Sequence, residues 1–249
     1  MTAPIVLVHG LGGFDCLLAG RRPAKEFFPG VRRHLAEAGH EVFLPSISPT
    51  ASVVVRATEL AASIDDRFGT QPIHLIGHSL GGLDARYLTS HLGFENRVLS
   101  LTTIGTPHRG SPFADWAVRY LQRFYRPLFR AFGIPVDAFR DLTTDACSRF
   151  NERTPDAPNV PVVSVAGVCD KPWLGPEWWF PSRIVGDAEG PNDGIVSLQS
   201  ATWGSRTETW QADHLNLVNW PNRIMQRAGL WTDRGADYQR LVQDVRTFR

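Results

Sequence analysis

Apolar residues in this chain fall into short unbroken runs separated by longer stretches in which they recur at helical spacing. Ile5-Val6-Leu7-Val8 after Pro4 and Val42-Phe43-Leu44 before Pro45 are the unbroken runs; Ile73-His74-Leu75-Ile76, residues 98–105 and residues 161–166 are largely apolar and read as further strands. A run without polar alternation fits a strand covered on both faces, as in a parallel sheet. Between them, residues 24–38 place Phe27, Phe28, Val31, Leu35 and Ala38 at helical spacing before Gly39. Residues 51–68 do the same with Val54, Leu60, Ala61 and Ile64 before Gly69. Strands alternating with helices predict an α/β fold with a mostly parallel central sheet flanked by helices and right-handed crossovers.

Two stretches break this rhythm. Residues 111–158 contain an aromatic-rich helix candidate with Trp116, Tyr120, Phe124, Phe129 and Phe132, apolar on more than one side and interleaved with arginines. Such a helix is deeply buried or covers something that is at times uncovered. Residues 167–192 are rich in Trp, Pro and Gly and read as an irregular functional insertion. No linker divides the chain, so the expectation is one domain over residues 1–249 carrying both insertions.

Composition narrows the classes. The formal net charge is +1, with 26 Lys and Arg against 25 Asp and Glu. Without a basic stripe, nucleic acid is excluded as the expected partner. No apolar run reaches membrane-spanning length, and no signal peptide is visible before the first strand. As it stands the chain reads as cytoplasmic, or as secreted if a leader has been cleaved. Cys16, Cys147 and Cys169 match no metal spacing and read as free thiols, one disulfide being the other option.

The candidate chemistry centres on Gly77-His78-Ser79-Leu80-Gly81, which follows a strand and opens a helix. Strand, sharp turn and helix are the context of a nucleophile elbow, with Ser79 at the apex and glycines where a Cβ would crowd the turn. A serine hydroxyl needs a base, and the base needs an acid to orient it. Of the histidines after Ser79, His91 lies at the far end of the elbow helix. His108 has no strand-end acid before it. His214 follows every core strand and is favoured by elimination. Asp193, in Asn192-Asp193-Gly194, is the favoured acid, with Asp170 next, then Asp187; Asp213 would have to fold back. The oxyanion would be met by the N–H of Leu80 and by that of Leu11 in the turn His9-Gly10-Leu11-Gly12-Gly13. A phosphate loop is the other reading of a glycine-rich turn, but neither Gly-Lys-Ser/Thr nor Gly-x-Gly-x-x-Gly is present.

These pieces together, with Ile104-Gly105-Thr106-Pro107-His108-Arg109-Gly110-Ser111 and Asp213-His214-Leu215-Asn216, resemble the α/β-hydrolase lipases of the Pseudomonas and Burkholderia type and related esterases. The resemblance implies Ser79, Asp193 and His214 as a catalytic triad, Leu11 and Leu80 as oxyanion donors, and a helical lid after Ser111. It also implies a calcium ion near the catalytic histidine, held in part by an Asp two residues beyond it. That position is Asn216 here. Hard-cation sites depend on carboxylate count, so the expectation is no cofactor and no metal, with calcium as the one candidate. The expected activity is carboxylic ester hydrolysis through an acyl-enzyme on apolar esters or lipids. Trp116, Tyr120 and Phe124 are expected to line the acyl side, with transient contact to a lipid interface. An acyltransferase or thioesterase of the same fold is the alternative. A non-catalytic binding protein is disfavoured by the complete set of site residues.

Overall fold

The computed structural model describes residues 3–12, 26–120, 137–169, 176–221, 223–229 and 231–246. Six strands form one sheet: β1 (Ile5–Val8), β2 (Val42–Phe43), β3 (Ile73–His78), β4 (Val98–Ile104), β5 (Val162–Val168) and β6 (Arg206–Gln211). Their order is β2-β1-β3-β4-β5-β6, and every neighbouring pair is parallel. The α/β architecture expected from the pattern is therefore the one observed.

The pleat of the strands explains the unbroken apolar runs. Ile5 and Leu7 point to one face, where Ile76, Ile104 and Val165 join them under Val31 and Leu35 of α1 (Val31–Glu37) and Tyr238, Leu241 and Val242 of α9 (Gly235–Arg246). Val6 and Val8 point to the other, where Leu75, Leu101 and Val162 meet Ala57, Leu60 and Ile64 of α2 (Val53–Phe68) and Ala85 and Leu88 of α3 (Leu80–His91). With both faces covered, alternation has no reason to appear. Burying one such Leu or Ile contributes about 1.5–3 kcal/mol.

Three elements differ from the sequence expectation. Of the helix expected over residues 24–38, Val31–Glu37 is helical; residues 26–30 before it are not, and residues 24 and 25 lie outside the described residues. Pro29 pushes Phe28 away from helical geometry, and Gly30 sits at φ 77°. Phe27 and Phe28 are nonetheless buried, so their apolar spacing marks the core and not a helix. The stretch 167–192 is not irregular throughout: residues 176–189 form α6 (Pro176–Glu189), with Pro181 inside it. Strand β6 had no apolar run to announce it. It lies at the sheet edge, and of Arg206-Thr207-Glu208-Thr209-Trp210-Gln211 only Trp210 is buried. The remaining helices are α4 (Asp137–Asp141), α5 (Thr144–Arg153), α7 (Leu198–Ala201) and α8 (Arg223–Arg227), and residues 112–120 are also helical. Among the described residues no helix is long and apolar enough to cross a membrane.

Candidate active site

The loops at the C-terminal ends of β1, β3, β4, β5 and β6 gather above the sheet, where open α/β sheets place their sites. Ser79 links β3 directly to α3 at φ 54° and ψ −125°. A non-glycine residue in that region is strained by about 1–3 kcal/mol and is held there by its surroundings. The holding is specific. The Ser79 N–H donates to the Ile104 carbonyl at 2.9 Å, and its carbonyl accepts from Gly82 N–H at 3.1 Å. A Cβ on Gly77 would stand 2.5 Å from the Gly81 carbonyl oxygen, and one on Gly81 2.5 Å from that of Val8. Both glycines flanking the serine are thus fixed by close backbone approach, as the motif implied.

Asp193 and His214 meet. The His214 Nδ1 is 2.7 Å from Asp193 Oδ2, and both residues are buried. The other carboxylate oxygen accepts the N–H groups of Ile195 (3.1 Å) and Val196 (2.8 Å), and the Asp193 carbonyl accepts His214 N–H at 2.8 Å. These bonds make an Asx-type turn at Asn192-Asp193-Gly194 that aims the Asp193 side chain at His214. Gly105, at φ 56°, forms the floor: a Cβ there would lie 3.2 Å from Asp193 Oδ2 and 3.3 Å from His214 Nδ1. The His214 backbone reaches the elbow, since its carbonyl accepts a hydrogen bond from His78 Nε2 at 3.0 Å.

The rival acids and bases stand elsewhere. Asp187 is exposed on α6, and Asp170 lies outside the described residues. Asp213 accepts the N–H groups of Leu215 (3.0 Å) and Asn216 (2.7 Å), shaping the turn that carries His214. His91 meets Thr154 Oγ1 at 3.2 Å. His108 is buried between Thr103 Oγ1 and Arg86 Nη1, at 3.0 and 3.3 Å, with Trp203 stacked on it.

On the other side of Ser79, the turn after β1 is held at both ends. The Arg56 guanidinium donates to the His9 carbonyl at 2.6 Å and to Asp84 Oδ2 at 2.7–2.8 Å, with all three groups buried. Gly12 N–H donates to the Pro49 carbonyl at 2.8 Å. Leu11 lies between them. Leu80 opens α3, where the N–H has no partner within the helix. Leu11 and Leu80 share one apolar cluster with Val53, Leu83, Ala114, Ala138 and Leu142. Sequence reasoning missed Arg56. Its signal was its place in the apolar stripe of α2, three and four residues from Val53 and Leu60.

Of the residues expected on the acyl side, Trp116 is half-buried and stacks near Phe113, Tyr120 and Phe180, with centroids 4.7 Å from Phe180. Tyr120 is exposed, as are Trp179 and Phe180 of α6. Phe124, Phe129 and Phe132 lie outside the described residues, as does Cys16. Cys147 is a free thiol, and burial pushes it up to about 12.

The surroundings of Asn216 do not fit a hard cation. Its Nδ2 donates to the Thr232 carbonyl at 2.8 Å and its Oδ1 accepts from Arg234 Nη2 at 3.2 Å. The same guanidinium donates to the Gln211 carbonyl. A positive side chain already occupies the oxygens on both sides of His214.

Burial pushes the imidazoles of His9, His78 and His108 down, His9 to about 4, with nearby Arg56 adding to the effect at His9 and Arg86 at His108. Burial pushes the carboxyls of Asp84 and Asp213 up, Asp84 to about 7. Below the ordinary histidine value of about 6.5 the unfolded chain binds protons that the three folded imidazoles refuse, so this contribution to stability is lost as pH falls. The two carboxyls act in the opposite sense, because the folded state binds their protons first. The three imidazoles outnumber Asp84, the carboxyl raised to about 7, so unfolding takes up protons on balance and stability falls as pH falls in this range. Urea unfolding at pH 6.5 and 5.5 is expected to show that loss of stability. A rise would show that the buried carboxyls dominate.

A serine on a strained strand-to-helix turn, a parallel sheet in this order, and an Asp–His pair on the loops beyond β5 and β6 define the α/β-hydrolase class. The model of the alpha/beta hydrolase fold family matches residues 50–132. The chain is 34% identical over 214 residues to triacylglycerol lipase 2 of Saccharomyces cerevisiae, covering 80% of this chain and 64% of that protein. It is 30% identical over 256 residues to a triacylglycerol lipase of Vibrio cholerae, covering 87% of this chain and 79% of that one. Among solved structures, the Staphylococcus hyicus lipase superposes with a TM-score of 0.76 at 19% identity, over 98% of this chain and 96% of that one. The metagenomic carboxyl esterase MGS0156 gives 0.79 at 18%, over 98% and 76%. The chain belongs to the α/β-hydrolase family, within its lipase and esterase branch. It spans just under two thirds of the yeast relative.

Proposed function

We propose that this chain is a carboxylic ester hydrolase that works through an acyl-enzyme. Ser79 Oγ attacks the ester carbonyl carbon as its proton passes to His214 Nε2, and Asp193 fixes the imidazole with Nδ1 protonated. The N–H groups of Leu11 and Leu80 receive the negative charge that develops on the carbonyl oxygen, each worth about 3 kcal/mol of barrier. The alcohol leaves with the proton from His214. Water, deprotonated by the same imidazole, then releases the carboxylic acid and restores Ser79. The observation that carries this reading is the 2.7 Å pair of His214 Nδ1 and Asp193 Oδ2, with the His214 backbone bonded to the residue beside Ser79.

The acyl group is apolar. The two oxyanion residues pack into a cluster of aliphatic side chains, and the aromatic group of Trp116, Tyr120 and Phe180 stands on the helices of the two insertions. The helix of residues 112–120, with exposed Tyr120, forms part of a lid whose aromatic edge meets a lipid surface for a time; residues 121–136 of the expected lid lie outside the described residues. No metal takes part, because Arg234 fills the place of a cation beside His214.

A series of p-nitrophenyl esters from two to sixteen carbons tests the reading, in the wild type and in Trp116→Ala, with and without chelator. Hydrolysis rising with chain length, a Trp116→Ala loss of about tenfold confined to the longer esters, and no effect of chelator are expected. Absence of hydrolysis across the series refutes the enzyme. Equal loss on short and long esters refutes the acyl-side role of Trp116.

A further inference from the structure

We propose that His78, the residue before the nucleophile, is a positioning residue that ties the backbone of the base, His214, to the nucleophile's elbow. The proposal rests on the reading of Ser79 and His214 as nucleophile and base. Its starting point is a problem of distance. His214 rides on the loop after β6, whereas Ser79 follows β3, and the sheet order puts β4 and β5 between them. At about 4.8 Å per strand the base must be carried back roughly 14 Å across the strand ends by loop alone. A displacement of about 1 Å between reacting groups can cost 10²-fold in rate. Such a span needs a tie at the far end, and the contact of His78 Nε2 with the His214 carbonyl at 3.0 Å is that tie. The two rings are also in contact, with centroids 4.5 Å apart and planes tilted by 46°, so the His78 ring packs against the imidazole of His214 and restricts its rotation.

The form of the bond argues that it is kept for positioning and not for packing. A carbonyl can only accept, so His78 Nε2 carries the hydrogen. Burial holds the ring neutral, which leaves Nδ1 bare. That Nδ1 is buried and finds no hydrogen-bond partner among the described residues. A buried acceptor left unpaired costs about 1–3 kcal/mol. An apolar side chain of similar size would avoid that cost. The histidine therefore gives up stability at one nitrogen to place a rigid donor at the other, and that donor ends on the base.

Gln and Met have nearly the same length and volume, and only Gln can donate to the His214 carbonyl. The experiment compares His78→Gln and His78→Met with the wild type. Sites are counted by the burst of a p-nitrophenyl phosphonate, so that rates are expressed per reactive serine. The expected result is a fall in kcat per site of about 10- to 100-fold in His78→Met with KM within about threefold, and kcat within about threefold of wild type in His78→Gln. The melting temperature of His78→Met stays within a few degrees of wild type, since the lost bond and the removed unpaired nitrogen offset each other. Equal loss in both variants, equal retention in both, or a loss of folded protein without a change in rate per site overturns the proposal. A wild type that gives no burst, or a Ser79→Ala variant that still gives one, overturns the triad reading instead.

Discussion

Ser79→Ala is expected to lower kcat for p-nitrophenyl butyrate by about 10⁴-fold or more while leaving the melting temperature unchanged or slightly raised. The rate loss is large because no other group at the elbow can form the acyl bond. Oxyanion donors and substrate binding alone account for only the residual rate above water. Stability is spared because the strain at φ 54° belongs to the backbone, which alanine adopts as serine does. The anchoring bonds of residue 79 are likewise made by its N–H and carbonyl. The measurement is a progress curve on both proteins alongside thermal unfolding. Retention of more than a hundredth of the activity would assign the chemistry to another residue.

Asp193→Asn is expected to cost about 10³- to 10⁴-fold in kcat, for a reason the hydrogen bonds make explicit. Asp193 Oδ1 accepts two N–H groups, from Ile195 and Val196, and Oδ2 faces His214 Nδ1. In an asparagine the amide oxygen must take the position of Oδ1, because the two N–H groups there require an acceptor. The amide NH₂ then faces Nδ1 and forces it to accept, which moves the imidazole proton to Nε2. In that tautomer the ring cannot take the Ser79 proton. The fold is expected to survive, since both backbone bonds remain. A loss of less than tenfold would pass the acid's role to Asp170, Asp187 or Asp213.

Most of the sheet was legible because strands covered on both faces favour apolar residues, and β1 is wholly apolar while β3, β4 and β5 are largely so, with buried His78, Ser100, Thr102, Thr103 and Ser164 as their polar positions. Strand β6 was not, because an edge strand keeps one side in water and its ion pairs to α9, Arg206 with Asp244 and Arg240 with Glu208, call for charged residues. The first helix was drawn too long because Phe27 and Phe28 carry core spacing without helical backbone. In the site, Ser79 was readable from the local strain its glycine neighbours accommodate, and Asp193 from a turn that aims its own side chain. Arg56 and His78 escaped notice because their partners, the carbonyls of His9 and His214, lie 47 and 136 residues away. A backbone carbonyl leaves no mark on the identity of its residue.

By itself the sequence determined the parallel sheet, the elbow and the set of side chains able to do acyl chemistry, because each depends on contacts within a few residues or on the plain demand that buried strands be apolar. Only the tertiary structure decided which carboxylate faces His214, what holds the turn after β1, and how the loop after β6 is tied back to the elbow after β3. Those outcomes rest on hydrogen bonds between distant segments, whose geometry is set by the order and pleat of the sheet.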